Sequence, residues 1–373
     1  MRVILAGGGT GGHIYPAITI AREFMRRDPQ TEILFIGGKR GMEAELVPKE
    51  GFRLITLQLE GIPRRISFKV FKSLGLAFKG IGETYKIMKE FRPDLVIGTG
   101  GYVCGPAVMT AYLMGIPTAI QEQNAFPGLT NRLLGKVVKR VFLAYSEAGK
   151  YFNAKKVRVY GNPIRTTEFQ EVSRLAAERK MGIQPDKLNL LVFGGSQSAR
   201  RINQCLLDIL AKILREFTNL QVIMMTGTKD YESIQAKVKE INIPQDHRAR
   251  LFLTPYFYKI ADAYSVSDLI LARAGAISLA EITYFGIPAL LIPYPFATNN
   301  HQEFNARVLE KGNAAQVLLE KDLTSKTLWN HLEVLLKDAG ERRKMASASK
   351  SLGKPNATQD IVNELLKLAS KSI

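Results

Sequence analysis

Short apolar runs recur along the chain, each closed by glycines or a polar turn and followed by a stretch with helical spacing. Val3–Ala6 leads into Gly7–Gly12 and then an amphipathic segment from Ala17 to Arg26. Ile33–Ile36 ends in Gly37-Gly38, and Leu95–Ile97 leads into Gly98-Thr99-Gly100-Gly101. Pro117–Ile120 and Val141–Leu143 read as further strands. Apolar strands alternating with helices predict an α/β architecture, a parallel sheet covered on both faces.

The scheme then restarts. Leu190–Phe193 is followed by Gly194-Gly195-Ser196 and a helix through Cys205–Leu214. Val222–Met225, Leu251–Leu253, Leu269–Ala272 and Ala289–Ile292 continue the series. Two Rossmann-like, doubly wound domains follow, joined near Gly161-Asn162-Pro163, where turn residues cluster. A last helix is expected from Asp360 to Lys371, with Ile361, Leu365 and Leu368 at helical spacing. That spacing does not say what it docks on.

Composition agrees with two cores: 373 residues, 46% of them hydrophobic. The two cysteines, Cys104 and Cys205, have no CxxC partner, so neither a disulfide framework nor a zinc site is expected. The N-terminus reads as a first buried strand, not a signal peptide, and no apolar run is long enough to span a membrane. Charge adds something new. Residues 1–160 carry 24 Lys/Arg against 12 Asp/Glu (+12), and residues 161–373 carry 28 against 22 (+6). The basic N-terminal half wants a polyanion: nucleic acid, an anionic membrane or a phosphorylated substrate.

Gly7-x-Gly9-x-x-Gly12 matches the dinucleotide fingerprint and lies between a strand and a helix, where backbone N–H groups can approach a phosphate. A nicotinamide-dependent oxidoreductase is therefore one reading. Against it, the second strand ends in Gly37-Gly38-Lys39, with no acid for ribose hydroxyls. His13 follows the glycines directly and is placed to act as a general base or phosphate donor. A second glycine turn, Gly98 to Pro106, would let Gly9, Gly100, Gly101 and Tyr102 hold a diphosphate between two loops. A third, Gly194 to Arg201, offers the hydroxyl of Ser196. Glu281 lies in a turn entering a helix, where it could grip ribose hydroxyls or stand as a solvated first-turn acid. The segment Asn299 to Asn305 reads as a binding loop. No aromatic-basic RNA motif or zinc finger appears, so nucleic-acid binding rests on charge alone.

Between Arg64 and Arg92 stand eight Lys/Arg and two Glu. Phe71, Leu74, Phe78, Ile81, Tyr85 and Met88 form an amphipathic stripe, and Lys72, Lys79 and Lys86 share another line. This is either a core helix with a solvated face or a patch for an anionic membrane surface.

Seven motifs, AGGGTGGH, GTGGYVCGP, QEQNAFPGLTNR, GNPIR, GGSQSAR, RAGAISLAEI and NNHQEFNA, run in an order that resembles the MurG glycosyltransferases. The resemblance spans nearly the whole chain. It implies a GT-B fold, two Rossmann-like domains facing a cleft. Residues 1–163 would form the acceptor and membrane-facing domain, joined by the C-terminal helix within 356–373. Residues 164–355 would bind the UDP-sugar. The implied activity is inverting transfer of N-acetylglucosamine (GlcNAc) from UDP-GlcNAc to the 4-hydroxyl of the N-acetylmuramyl (MurNAc) sugar in undecaprenyl-pyrophosphoryl-MurNAc-pentapeptide. That converts lipid I to lipid II in peptidoglycan synthesis. Carried across, Thr10, Gly11 and Gly12 line the cleft and Asn124 touches the transferred sugar. Arg165 and Ser196 contact UDP, and the backbone near Phe257 reads uracil. Ala276, Ile277, Ser278, Leu279, Ala280 and Glu281 hold phosphate and ribose, Gln302 bonds the sugar, and His13 is the base candidate. Ser198 departs from the family's usual glycine. The resemblance also implies a peripheral location on the cytoplasmic side of the cell membrane and partners in cell-wall synthesis and cell division.

The chemistry fits. Glycosyl transfer from UDP needs one base and no acid, because UDP leaves as a stabilised anion, whereas glycoside hydrolysis usually needs two carboxylates. No Asp-x-Asp occurs, so no metal cofactor is expected.

Overall fold

The computed structural model describes residues 1–39, 41–59, 68–170, 172–194 and 200–370. The chain divides into two compact units, Met1–Ile164 with Lys354–Ile373, and Arg165–Gly353.

The first unit holds seven parallel strands: β1 Arg2–Gly7, β2 Glu32–Gly38, β3 Arg53–Leu57, β4 Leu95–Gly100, β5 Thr118–Glu122, β6 Arg140–Leu143 and β7 Val157–Val159. Their order is β3-β2-β1-β4-β5-β6-β7. Its helices include α1 Gly11–Arg27, α2 Glu43–Lys49, α3 Phe68–Phe91, α4 Cys104–Leu113 and α5 Leu129–Leu134. Side chains alternate across a strand, so an unbroken apolar run serves two cores. Val3 and Leu5 face α1, meeting Ile14, Ile18 and Phe24. Ile4 and Ala6 face α4, meeting Cys104, Ala107 and Val108.

The helix Ala357–Ser370 closes this unit. It starts three residues before the expected Asp360, and its Ala357 and Thr358 are buried. Ile361, Val362, Leu365 and Leu368 join the α1 face of the core, each burial worth about 1.5–3 kcal/mol. Arg140 Nε bonds Glu364 at 2.7 Å, tying the helix to β6.

Two expectations change here. Helix α1 starts at Gly11, not Ala17, and carries Pro16 inside it. Proline there forfeits the bond to the Gly12 carbonyl, and the helix continues through it to Arg27. The apolar stripe of α3 also divides: Met88 enters the core, while Tyr85 faces outward under the Lys89 ammonium, 5.7 Å from its ring. Residues 60–67 and the side chains of Phe71, Lys72, Leu74 and Phe78 lie outside the described residues.

The second unit holds six parallel strands: β8 Leu188–Phe193, β9 Leu220–Met225, β10 Leu251–Thr254, β11 Leu269–Ala272, β12 Ala289–Leu291 and β13 Ala315–Val317. Their order, β10-β9-β8-β11-β12-β13, repeats the first six places of the other sheet. In each sheet the chain winds outward, then crosses back to the far side of its first strand. Open α/β sheets bind ligands at the carboxyl ends of the strands flanking that reversal. Those strands are β1 and β4 in one unit, β8 and β11 in the other.

Candidate functional site

At the first reversal Gly7 pairs with Gly100, and the Gly8 N–H donates to the Gly100 carbonyl at 3.3 Å. The two glycine turns are thus one unit of backbone. Gly101, at φ +83°, lies so close that a Cβ would collide with the Gly8 carbonyl oxygen. Gly9, Thr10, Gly11 and Gly12 continue this loop into α1, with Thr10 as N-cap.

His13 sits in the first turn of α1, with Nδ1 2.9 Å from the Gly8 carbonyl oxygen. A carbonyl only accepts, so Nδ1 carries the proton, and in the neutral ring Nε2 holds the basic lone pair. Gly100, at φ +109°, lies against the ring: a Cβ there would stand 2.8 Å from His13 Cδ2 and 3.0 Å from Nε2. The structure therefore brings His13, Gly9, Gly100, Gly101 and Tyr102 together at the strand ends.

One donor of this cradle is already engaged. The Gly9 N–H points to Glu43 Oε2 at 2.9 Å, and the Gly38 N–H to Glu43 Oε1 at 2.8 Å. Glu43 is 0% exposed. The Tyr102 phenol is raised above its ordinary pKa, first by burial and then by the Glu43 charge.

At the end of β5, Glu122 is buried and accepts four hydrogen bonds. They come from Asn124 N (3.0 Å), Asn124 Nδ2 (3.1 Å), Gly128 N (3.0 Å) and Asn131 Nδ2 (2.9 Å). Asn124 is thus aimed by a carboxylate saturated with donors. Sequence reasoning singled out neither Glu43 nor Glu122. The signal for the second was a Gln-Glu-Gln-Asn run at a strand's end, where four polar residues in a row must find partners or water.

At the second reversal, Phe193 and Ala272 are partners. Ser196 and Ser198 lie outside the described residues. The helix Ala276–Phe285 follows Gly275, and its first turn closes with Leu279 N–H to the Gly275 carbonyl at 2.9 Å. The N–H groups of Ile277 and Ser278 precede that bond and have no acceptor within the helix. The helix dipole favours an anion there. The Leu279 side chain is wholly in the core, so only its backbone can face a ligand.

Glu281 is 8% exposed and receives the Tyr264 hydroxyl on Oε2 at 3.0 Å. It is no solvated first-turn acid. Burial pushes its pKa up to about 7, against the lowering pull of the Arg165 charge and the Tyr264 bond. Arg165 also pairs with Glu168 at 3.4 Å. Gln302 Oε1 accepts from Ala274 N (3.2 Å) and Tyr294 N (2.9 Å), linking the loops after β11 and β12. Its carbonyl end is spent on backbone, which leaves Nε2 as the end to donate to a sugar. Arg273 reinforces the same joint, donating to the Ile292 carbonyl at 3.1 Å and pairing with Glu320. Phe257 lines a recess of about 320 Å³ with Met181 and Leu251–Thr254.

Residues 3–143 match the glycosyltransferase family 28 N-terminal domain, and residues 189–363 the C-terminal domain of that family. A protein from Thermoanaerobacter sp. (strain X514) is 46% identical over 97% of this chain and 98% of its own length. One from Desulfitobacterium hafniense (strain Y51) is 45% identical over the full length of both. Both are named UDP-N-acetylglucosamine--N-acetylmuramyl-(pentapeptide) pyrophosphoryl-undecaprenol N-acetylglucosamine transferase. The crystal structure of Acinetobacter baumannii MurG superposes with a TM-score of 0.76 at 29% identity, covering 98% of this chain and 99% of that one.

Proposed function

We propose, from the premise that the chain belongs to glycosyltransferase family 28 and within it to the MurG enzymes, that it transfers GlcNAc from UDP-GlcNAc to lipid I, giving lipid II. Its two parallel-sheet α/β domains are those of the GT-B fold. The oxidoreductase reading falls. Its fingerprint donates the Gly9 N–H to an internal carboxylate, and the matching family and relatives are glycosyltransferases.

The observation that carries the mechanism is His13, anchored through Nδ1–H so that Nε2 is the basic atom at the glycine cradle. In the reaction, Nε2 takes the proton of the MurNAc 4-hydroxyl as its oxygen bonds to C1 of GlcNAc. The C1–O bond to UDP breaks on the opposite face, its electron pair leaves with UDP, and the configuration at C1 inverts. The Ile277 and Ser278 N–H groups and Arg165 would meet the diphosphate charge, each charge-assisted bond worth about 1.5–3 kcal/mol. Such a set stabilises the leaving group without a metal. Glu281 would accept from the ribose hydroxyls, Gln302 Nε2 would donate to the sugar, and the backbone beside Phe257 would read uracil. Gly9, Gly100, Gly101 and Tyr102 would surround the acceptor diphosphate, and Thr10, Gly11, Gly12 and Asn124 would meet UDP-GlcNAc, with Asn124 on the transferred sugar.

A lipid-linked acceptor calls for a surface that meets an anionic membrane on the cytoplasmic side. Among the described residues no helix is long and apolar enough to cross a bilayer. Support for a peripheral contact comes from exposed Tyr85, Tyr112, Leu113, Leu129 and Leu133 in a unit rich in Lys and Arg. Proteins of cell-wall synthesis and division would be reached there. The function is tested by incubating the protein with labelled UDP-GlcNAc and a lipid I analogue. Label moves to the analogue if the proposal holds; no transfer, or protection from heat by NADH but not UDP, overturns it.

A further inference from the structure

Four glycines surround one carboxylate. A Cβ on Gly8 or on Gly41 would run into the Glu43 carboxylate. On Gly37 it would stand 2.6 Å from Glu43 Cγ, and on Gly38 3.0 Å from Oε1. Two of these glycines belong to the end of β2, one to the turn before α2 and one to the cradle itself. Their shared lack of a side chain leaves a slot the size of a carboxylate, and Glu43 fills it with its charge on two backbone donors. An unpaired charge at this depth would be expensive, and the Gly9 and Gly38 N–H groups are what make it tolerable.

The connection runs on to the base. Glu43 holds Gly9 through its N–H; the adjacent Gly8 offers its carbonyl to His13 Nδ1 and its N–H to Gly100. We infer that Glu43 is a positioning residue for the transfer. It clamps the first glycine loop in the shape that sets the tautomer and direction of His13. The Gly9 N–H is thereby committed to an internal anion, while the rest of the cradle stays open to a ligand. The inference rests on His13 being the base.

The test is a double-mutant cycle in the full chain, joined to chemical rescue. Glu43→Ala should lower kcat roughly 10–10²-fold, the scale of a misaligned reacting group, while UDP affinity stays within about twofold. In a His13→Ala background Glu43→Ala should cost little more, because the group it aims is gone. Formate should enter the vacated slot, raising both the melting temperature and kcat of Glu43→Ala, and should leave wild type unchanged. Glu43→Gln fills the slot and sets an NH2 against a backbone N–H; it should lose activity without formate rescue, and it serves in the cycle if Glu43→Ala does not fold. Additive losses in the cycle, a matching loss of UDP affinity, or no response of Glu43→Ala to formate would each overturn the inference. The melting measurement needs no turnover. An inactive wild type would therefore defeat the transferase reading while the formate shift still reports on the slot.

Discussion

At the first reversal point Glu43 takes two backbone N–H groups and no exposure; at the second, Glu281 takes one phenol and keeps a pKa near 7. The sheets have the same strand order, and both carboxylates are buried beside the reversal. What differs is the number of donors. A carboxylate held by two fixed backbone donors can act as scaffold. Glu281, with one phenol donor, has its pKa pushed up to about 7 by burial. On the proposed reading, the first unit spends its acid on shaping a base, and the second keeps its acid in reserve for a ligand.

The comparison breaks first at His13. His13→Ala should lower kcat about 10²–10⁴-fold, the usual worth of a general base, and leave UDP affinity intact. His13→Asn should do no better, and the acid limb of the kcat–pH profile should vanish in it. A surviving limb would move the base elsewhere.

Glu281 offers the next test, on stability. Its folded pKa, about 7, lies above the ordinary carboxyl value of 4.5, so the folded state binds the proton more tightly. Stability is therefore full below about pH 4.5 and falls as pH rises towards 7. The loss amounts to about 3 kcal/mol at most. Glu281→Gln should melt like wild type at pH 4.5 and higher than wild type at pH 8. Equal melting at both would mean that Glu281 is better solvated than its burial implies. The same residue tests the reserve: Glu281→Ala should weaken UDP binding by about 1.5–3 kcal/mol, read by calorimetry, with acceptor KM nearly unchanged. Wild-type affinity would remove Glu281 from the donor site.

The smallest effect concerns the first unit's surface. Replacing Lys79 and Lys86 by Glu should weaken binding to anionic vesicles by about 1 kcal/mol per lysine removed. Turnover on a water-soluble acceptor analogue should survive. Unchanged flotation with vesicles would mark that face of α3 as merely solvated.

Much of the architecture was legible because central strands such as β1, β4, β8 and β11 are apolar on both faces and end in glycine or polar turns. Strands β3, β7 and β13 escaped notice. They are short and half-buried, and Arg53-Leu-Ile-Thr-Leu57 or Val157-Arg-Val159 carries no run long enough to stand out. The cradles were legible for the same reason as the strands, since glycine marks where a strand gives way to a helix. Glu43 was not. In sequence it is an acid at a helix start, the commonest of harmless placements. Only the fold gathers Gly8, Gly37, Gly38 and Gly41 around it.

The helix Ala357–Ser370 carries a consequence for how the protein is made. It supplies Ile361, Val362, Leu365 and Leu368 to a core whose other members lie in the first unit's N-terminal portion. The 189 residues of the second unit, 165–353, are synthesised in between. At about 5–20 residues per second, a nascent chain waits roughly 10–40 s with the outer face of α1 uncovered. The second unit has its whole sequence in hand before the first does, so the order of completion on the ribosome is the reverse of the order in the gene. A fragment ending at Ile164 would carry that uncovered face permanently and should aggregate, whereas a circularly permuted chain that begins at this helix should complete the first unit first.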